Sequence, residues 1–169
     1  MSIDQFSDKF RGGMRPTLFK VEGNVPGSAT NSNDRVFFIK SSQFPASTVG
    51  VIEVPFKGRK IKRPGDRTFG DWTITVLADE SGQIRRDFVG WLSLINQHQN
   101  IATEGQDFLA EWSITALGPD DQELDTINLV RCFPTEVGAV DFSYETTDSI
   151  AEFTVTIQYD YWTGGGAEN

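Results

Sequence analysis

Short segments in which apolar and polar residues alternate are the feature that most constrains the fold of this chain. Residues 72–76 place Trp72, Ile74 and Val76 on one side and two threonines on the other. Residues 151–162 repeat the pattern, with aromatic or branched side chains at every second position. This period is typical of a strand with one buried face. Because such segments recur with turn signals between them, we predict a mainly β barrel or sandwich of about eight strands.

A short helix is predicted at the N-terminus. Ser2 followed by Gln5 forms a capping-box pattern, which is typical of a helix start. Three apolar residues then share one helical face: Ile3, Phe6 and Phe10. A helix this short is not stable alone. Residues 1–13 therefore either pack on their own domain or form an arm for a neighbouring molecule.

One longer helix is predicted at about residues 80–97, with Asp79 as its cap. Its apolar stripe has the spacing of a helix that packs against a sheet. The opposite face, which includes Asp87, is predicted to be solvated. After the last strand, residues 163–169 are predicted to form a flexible tail.

The length of 169 residues predicts a single domain, residues 1–169. Thirteen Phe, four Trp and three Tyr can supply its core. The single cysteine excludes an internal disulfide and favours assembly in a reducing cytoplasm. No apolar run approaches the length of a membrane span, so we expect none.

A compact basic segment stands out in an acidic chain. Six cations in residues 57–67 are opposed by Asp66 alone, which gives this segment a net charge of +5 in a chain of −9. The cations are Lys57, Arg59, Lys60, Lys62, Arg63 and Arg67. Residues 118–169 carry eleven carboxylates and one base, Arg131. We predict an exposed basic loop whose partner is a nucleic acid, a membrane face or the acidic surface of another copy.

The overall negative charge and the absence of aromatic residues between Lys57 and Arg67 favour self-assembly over nucleic acid binding. Catalytic patterns are weak. The one histidine, His98, has no second histidine or nearby cysteine, so a zinc site or a His-based triad lacks parts. Cys132 lies in an apolar strand and is predicted to be a buried, inert thiol. We therefore predict no enzymatic activity, no metal and no cofactor.

Five segments, in this order and spacing, resemble the tail tube proteins of contractile-tailed bacteriophages. They read RPTLFKVEG, GRKIKRPGDRTFGDWTITV, DESGQIRRDFVGW, CFPTEVG and FTVTIQYDYW. The resemblance covers nearly the whole chain. It implies a small β-barrel or sandwich with one flanking helix, and hexameric rings that stack into a hollow tube through which DNA leaves the capsid. The implied partners are other copies of the chain, the tail sheath, the baseplate and the tail terminator, and the implied location is the virion tail.

In such a tube the basic loop is expected to dock on an adjacent subunit. Polar strand faces are expected to line the lumen, where few cations would let DNA slide. The lumen candidates are Glu111, Ser113 and Thr115 on one strand, with Glu123 and Asp125 on the adjoining strand. Two alternatives stay open: an inner tube protein of a bacterial contractile injection or type VI secretion-like system, and a β-sandwich binding module with an exposed aromatic platform.

Overall fold

The structure is a computed structural model that describes residues 2–10, 14–28, 38–95, 108–143 and 149–165. Two helices lie in these ranges, α1 (Ile3–Phe10) and α2 (Gln83–Ile95). Nine strands are described: β1 (Phe19–Gly23), β2 (Ile39–Ser41), β3 (Ser47–Phe56), β4 (Arg59–Phe69), β5 (Trp72–Leu77), β6 (Ala110–Leu117), β7 (Glu123–Val137), β8 (Glu152–Gln158) and β9 (Tyr161–Gly164). The mainly β prediction is confirmed.

Seven strands form one antiparallel, barrel-like sheet in the order β1-β6-β7-β8-β5-β2, with β9 also paired to β7. β7 joins the two halves of this sheet. It pairs with β6 and β9 through its first part and with β8 through its last residues. β3 and β4 form a separate two-stranded sheet.

The core lies between the large sheet and α2, as the apolar stripe predicts. Every second residue of β5 is buried, which confirms the alternating pattern. Trp112 of β6 contacts three aromatic rings, with centroid distances of 5.6 Å to Trp72, 6.3 Å to Phe88 and 6.4 Å to Trp91. This cluster joins the helix to both halves of the sheet.

Asp79 caps α2, as predicted. Its carboxylate accepts hydrogen bonds from the backbone N–H groups of Gln83 and Ile84, both at 3.1 Å. The helix begins at Gln83 rather than near residue 80, because residues 79–82 form a turn in which Gly82 has φ +66°. His98 and the predicted end of the helix at 97 lie outside the described residues. Neither described helix is long and apolar enough to cross a membrane.

The predicted solvation of Asp87 is wrong, since this side chain is 6% exposed. The segment that follows β1 covers it. The Ser28 hydroxyl donates to one carboxylate oxygen at 2.5 Å, and the Gln83 amide donates to the other at 2.8 Å. Hydrogen bonds therefore satisfy a charge that the helical pattern places on the outer face.

α1 has the predicted capping box. The backbone N–H of Ser2 donates to the Gln5 side chain, and the Gln5 N–H donates to the Ser2 hydroxyl, both at 3.3 Å. Phe6 and Phe10 stack at 5.3 Å, yet both are more than half exposed. Their apolar face is thus not buried on the described part of the domain, which favours the arm over the packed helix.

Two strand boundaries differ from the pattern. β7 continues through Pro134 to Val137, because the register shifts next to Pro134 and a bulge tolerates a residue without an N–H. The last alternating segment divides at Asp160 into β8 and β9, which pair with different parts of β7, and β8 also pairs with β5. β9 also includes Thr163 and Gly164, which the sequence pattern assigns to a tail; residues 166–169 lie outside the described residues.

Candidate assembly surfaces

The predicted basic loop is a strand, and this part of the prediction is wrong. Residues 59–69 form β4, which pairs with β3 in a long hairpin (the basic hairpin, residues 47–69). Lys57 and Gly58 form its turn with φ of 46° and 80°. Two consecutive positive φ values match the right-handed twist of the flanking strands. The turn and the apolar partner strand thus impose an extended conformation on a charged sequence.

The basic hairpin carries an apolar face that the sequence analysis missed. Cross-strand partners share a face, and Val54 lies opposite Ile61 while Phe56 lies opposite Arg59. This apolar face consists of Ile52, Val54, Phe56 and Ile61, which are 48–60% exposed. All residues of β3 are exposed. Exposed apolar side chains grouped on one face are typical of an interaction surface.

The predicted cations of β4 are divided between the two faces of the hairpin. Arg59 and Arg63 share the apolar face, whereas Lys60 and Lys62 lie on the opposite face. The Lys60 ammonium lies 2.6 Å from the carboxylate of Glu53. Counting Glu53 on the partner strand, residues 47–69 hold six cations and two carboxylates, a net charge of +4. The hairpin is therefore basic, as predicted for residues 57–67, but its net charge is +4 rather than +5.

Arg67 lies at the base of the hairpin, away from the other cations. Its guanidinium is 5.1 Å from the ring centroids of both Phe69 and Trp162. It also donates to the Ser47 hydroxyl at 3.1 Å. Arg67 thus contacts β9 as well as its own hairpin, whereas the ion pair of Lys60 stays within the hairpin.

The polar face of β1, β6 and β7 brings together most of the lumen candidates. One side of β6 carries Glu111, Ser113, Thr115 and Leu117 at every second position. Glu123 lies on the same side, because it is the cross-strand partner of Leu117. Glu111 and Glu123 are exposed. Thr115 is buried, and its hydroxyl lies 3.1 Å from that of Thr126. Their place at a lumen stays a prediction.

Asp125 is separated from this group. It lies opposite Ala116, on the side of β6 that carries buried Ile114. The register shift between Ala116 and Leu117 causes the difference, since it changes which side of β7 each residue faces. The polar face of β1, β6 and β7 also carries two charged residues that sequence reasoning missed. They are Lys20 and Glu22 of β1, which lie opposite Thr115 and Ser113.

The polar face of β1, β6 and β7 contains a shallow depression of about 490 Å³. Its polar lining includes Glu22, Glu111, Ser113, Asn128 and Thr163. The Lys20 ammonium lies 2.6 Å from the Glu22 carboxylate, and this hydrogen bond raises the pKa of Lys20. Because the lysine is paired with Glu22, the face presents mainly hydroxyl, amide and carboxylate groups.

Two kinds of reactive group, a metal-ligand cluster and an accessible thiol, are predicted to be absent from this chain. No three His, Cys, Asp or Glu side chains lie close enough there to hold a metal ion. Cys132 is fully buried, as the sequence predicts, and burial raises the pKa of its thiol to about 12. A thiol held protonated is a poor nucleophile.

The sequence model of the family described as "Phage tail tube protein" matches residues 9–164. The chain belongs to the phage tail tube protein family. Among its relatives, the tail tube protein gp19 of Enterobacteria phage T4 is 35% identical over 96% of this chain and 99% of the relative. The tail tube protein of Serratia phage KSP90 is 25% identical over 90% of this chain and 93% of the relative.

A solved structure with the same fold comes from the sheath-tube complex of an extracellular contractile injection system, with a TM-score of 0.69. It is 16% identical and covers 99% of both chains. As a member of the phage tail tube protein family, the protein is a structural component of the phage tail, as the resemblance implies. Its relatives are structural proteins, which supports a structural rather than an enzymatic role.

Proposed function

We propose that this tail tube protein forms hexameric rings that stack into a hollow conduit for genome DNA, assembled in the host cytoplasm. The observation that carries the proposal is the basic hairpin, whose apolar face is exposed in the single subunit. Structures with similar folds come from a sheath-tube complex, a baseplate and a tube-terminating cap. These assemblies support a tail sheath, a baseplate and a terminator as partners of the tube.

The basic hairpin is proposed to dock on an adjacent subunit of the tube. Its apolar face offers area to bury, at about 25 cal/mol per Å². Its net charge of +4 leaves −13 on the remainder of each copy, so another copy supplies an anionic surface. Each exposed ion pair contributes only about 0–1 kcal/mol. Apolar burial is therefore expected to supply most of the affinity, and the charges to supply orientation and rate.

Ring closure is proposed to use the edges of the large sheet. β1 and β2 lie at its two ends, and β9 has one neighbour, β7, in the described sheet. Unpaired edges invite strand addition from another chain. Closing a ring satisfies such edges in an ordered way. Stacking is then head-to-tail, and an open contact of this kind makes a filament that needs an initiator and a terminator.

The polar face of β1, β6 and β7 is proposed to line the lumen. Its exposed charges are carboxylates at Glu22, Glu111 and Glu123, beside a lysine paired with Glu22. Such a wall does not neutralise phosphates, so it releases few counterions and binds DNA weakly. DNA is then a passing cargo rather than a ligand.

The test replaces Lys60, Lys62 and Arg63 together by glutamate, and in a second variant replaces Val54 and Ile61 by serine. Tube formation is measured by sedimentation and negative-stain electron microscopy, with purified tail baseplate added as initiator, at low and high salt. Both variants are expected to stay folded and to lose tubes, because hairpin residues contribute little to the core. The charge variant should lose them most strongly at low salt, where unlike charges attract most.

The matched control is Thr48→Ser, an exposed hairpin residue outside both groups, which should assemble normally. Wild-type-like tubes from both multiple variants at every salt concentration would contradict docking through the hairpin. A strict monomer from the wild-type protein, even with baseplate present, would contradict the tube itself. The phage tail is preferred to an injection system because the phage relative shares 35% identity and the injection-system tube 16%.

A further inference from the structure

Arg67 is held between two aromatic rings from distant parts of the chain. Its guanidinium lies 5.1 Å from the centroid of Phe69 on its own strand and 5.1 Å from that of Trp162 on β9. The two rings meet edge to face at 6.3 Å and 73°. A planar guanidinium stacks well on aromatic faces, which favours arginine over lysine at this place.

Further contacts stabilise the base of the hairpin, next to Arg67. The ring of Tyr159 lies 6.1 Å from that of Phe69, and its hydroxyl donates to the carbonyl oxygen of Gly70 at 2.7 Å. The N–H of Gly70 donates to the carbonyl oxygen of Ala46 at 2.9 Å. Ala46 and Gly70 directly flank the two ends of the basic hairpin. These contacts therefore join both ends of the hairpin to the final segment of the chain.

Farther from the domain, no comparable contact fastens the hairpin to the rest of the described residues. A bulge follows Val49, where the register shifts before Val51. Gly50 and Gly65 allow the strands to approach closely here, since a Cβ on Gly65 would lie 3.2 Å from the Gly50 oxygen. Beyond the bulge Ile52 is 54% and Ile61 is 49% exposed. The direction of the outer hairpin is thus set near its base.

We propose that Arg67, Phe69 and Trp162 form a positioning clamp that fixes the direction in which the basic hairpin leaves the domain. At about 3.3 Å per residue, the eight steps along the strand from Arg67 to Arg59 span about 26 Å. A tilt of about 10° at the base therefore moves the outer end by about one strand spacing of 4.8 Å. The clamp presents the apolar face in one orientation before a second copy arrives, which lowers the entropy lost on docking.

The clamp is tested in the unassembled subunit. Spin labels are placed at Arg59→Cys near the turn and at Gln122→Cys, an exposed residue of the large sheet's β6–β7 connection. Buried Cys132 is not labelled in the native state. Double electron–electron resonance then gives the distribution of distances between the hairpin and the domain. Circular dichroism and thermal unfolding confirm that each variant is folded.

Arg67→Leu is expected to broaden this distribution severalfold or to shift its centre, while the fold is kept. Arg63→Leu makes the same chemical change on the same strand outside the clamp, and it should leave the distribution unchanged. Trp162→Leu should act as Arg67→Leu does, and Trp162→Phe should restore a narrow distribution because it keeps a ring for the guanidinium. Distributions for Arg67→Leu that match those of the wild-type and Arg63→Leu proteins would overturn the proposal.

The consequence for tubes rests on the proposed function, but the distance measurement does not. In the assembly assay Arg67→Leu is expected to slow tube growth at low and high salt alike, since the clamp acts within one subunit. A broadened distribution with wild-type growth would overturn the claim that direction matters for docking. Unaffected growth in the charge and apolar hairpin variants would instead count against docking through the hairpin, whatever the distance distribution shows.

Discussion

Gly23 lies directly beneath the indole ring of Trp112, its cross-strand partner between β1 and β6. A Cβ on Gly23 would lie 2.0 Å from Cδ2 of that ring, far inside van der Waals contact. The ring itself is held by Trp72, Phe88 and Trp91 and is 2% exposed. These three rings restrict its movement, so the end of β1 requires a residue without a side chain.

Gly23→Ala is therefore expected to destabilise the domain by about 1–3 kcal/mol or more, as overpacked core positions do. Unfolding in denaturant, followed by tryptophan fluorescence, measures the change. Gly90→Ala in α2 is the control, because no atom outside the helix lies within 4 Å of its added Cβ. That change should stabilise the helix by about 0.5–1 kcal/mol. Equal effects of the same sign at both positions would contradict the packing argument.

The alternating pattern was enough to predict the strands that build the core. β5 carries Trp72, Ile74 and Val76 on a face that the sheet must bury, so pattern and structure agree. The alternating pattern could not predict that Gly23 pairs with Trp112. Register depends on which strands, distant in sequence, lie side by side in the sheet. The same holds for Asp125, which one register shift moved away from its predicted companions.

The basic hairpin shows the opposite case, in which local composition misleads. Residues 59–67 hold five cations with Pro64 and Gly65, a composition that argues against a strand. The turn at Lys57 and Gly58 and the apolar partner β3 nevertheless impose one. The sequence groups Arg67 with the other cations because its partner Trp162 is remote in sequence. Only the fold brings β9 to the base of the hairpin.

The Asp79 cap should contribute measurably to stability and in a pH-dependent way. Asp79→Ala is expected to lower the free energy of unfolding by about 0.5–2 kcal/mol, since two helix N–H groups lose their acceptor. Partial burial raises the pKa of Asp79, but hydrogen bonds from Ser81 and from the backbone of Ile84 and Gln83 together hold it below its ordinary 3.8. The stabilisation is thus present above pH 3.8 and is lost as pH falls through the folded pKa.

Denaturant unfolding at a series of acidic pH values checks this dependence. The difference between wild type and Asp79→Ala should shrink below pH 3.8. Glu80→Ala is the control, since Glu80 is exposed and lies outside the capping bonds, and it should change stability by less than about 0.5 kcal/mol. A difference that stays constant down to the lowest pH would mean that the ionised carboxylate is not the cap.

Cys132 should resist thiol reagents until the domain unfolds. It is fully buried, and burial raises its pKa to about 12, so neither access nor the thiolate form is available at neutral pH. Colorimetric thiol titration is expected to give no reaction with the native protein and one thiol per chain in denaturant. As a control, the unlabelled single variant Gln122→Cys should react in the native state, since residue 122 is exposed. Rapid native labelling of the wild-type protein would show that β7 opens locally.

Tyr159 should make the domain sensitive to alkali. Burial, with smaller effects of Cys132 and Asp71, raises the pKa of its phenol from 10.0 to about 12. A group whose pKa is higher in the folded state stabilises below its unfolded pKa, and this contribution is lost as pH rises through the folded value. The window of loss for Tyr159 is therefore about pH 10 to 12.

Tyr159→Phe separates the two contributions of this side chain. At neutral pH it removes the hydrogen bond to the Gly70 carbonyl and is expected to lower the free energy of unfolding by about 0.5–1.5 kcal/mol. Between pH 10 and 12 the wild type loses stability that the variant never had, so the difference should narrow. Tyr161→Phe, at a ring that is 45% exposed, is the control and should change stability at neutral pH by less than about 0.5 kcal/mol. Suppose instead that the difference in free energy of unfolding between wild type and Tyr159→Phe is constant across this window. The phenol would then ionise equally well in the folded and unfolded chains. Burial at the base of the hairpin would not raise its pKa.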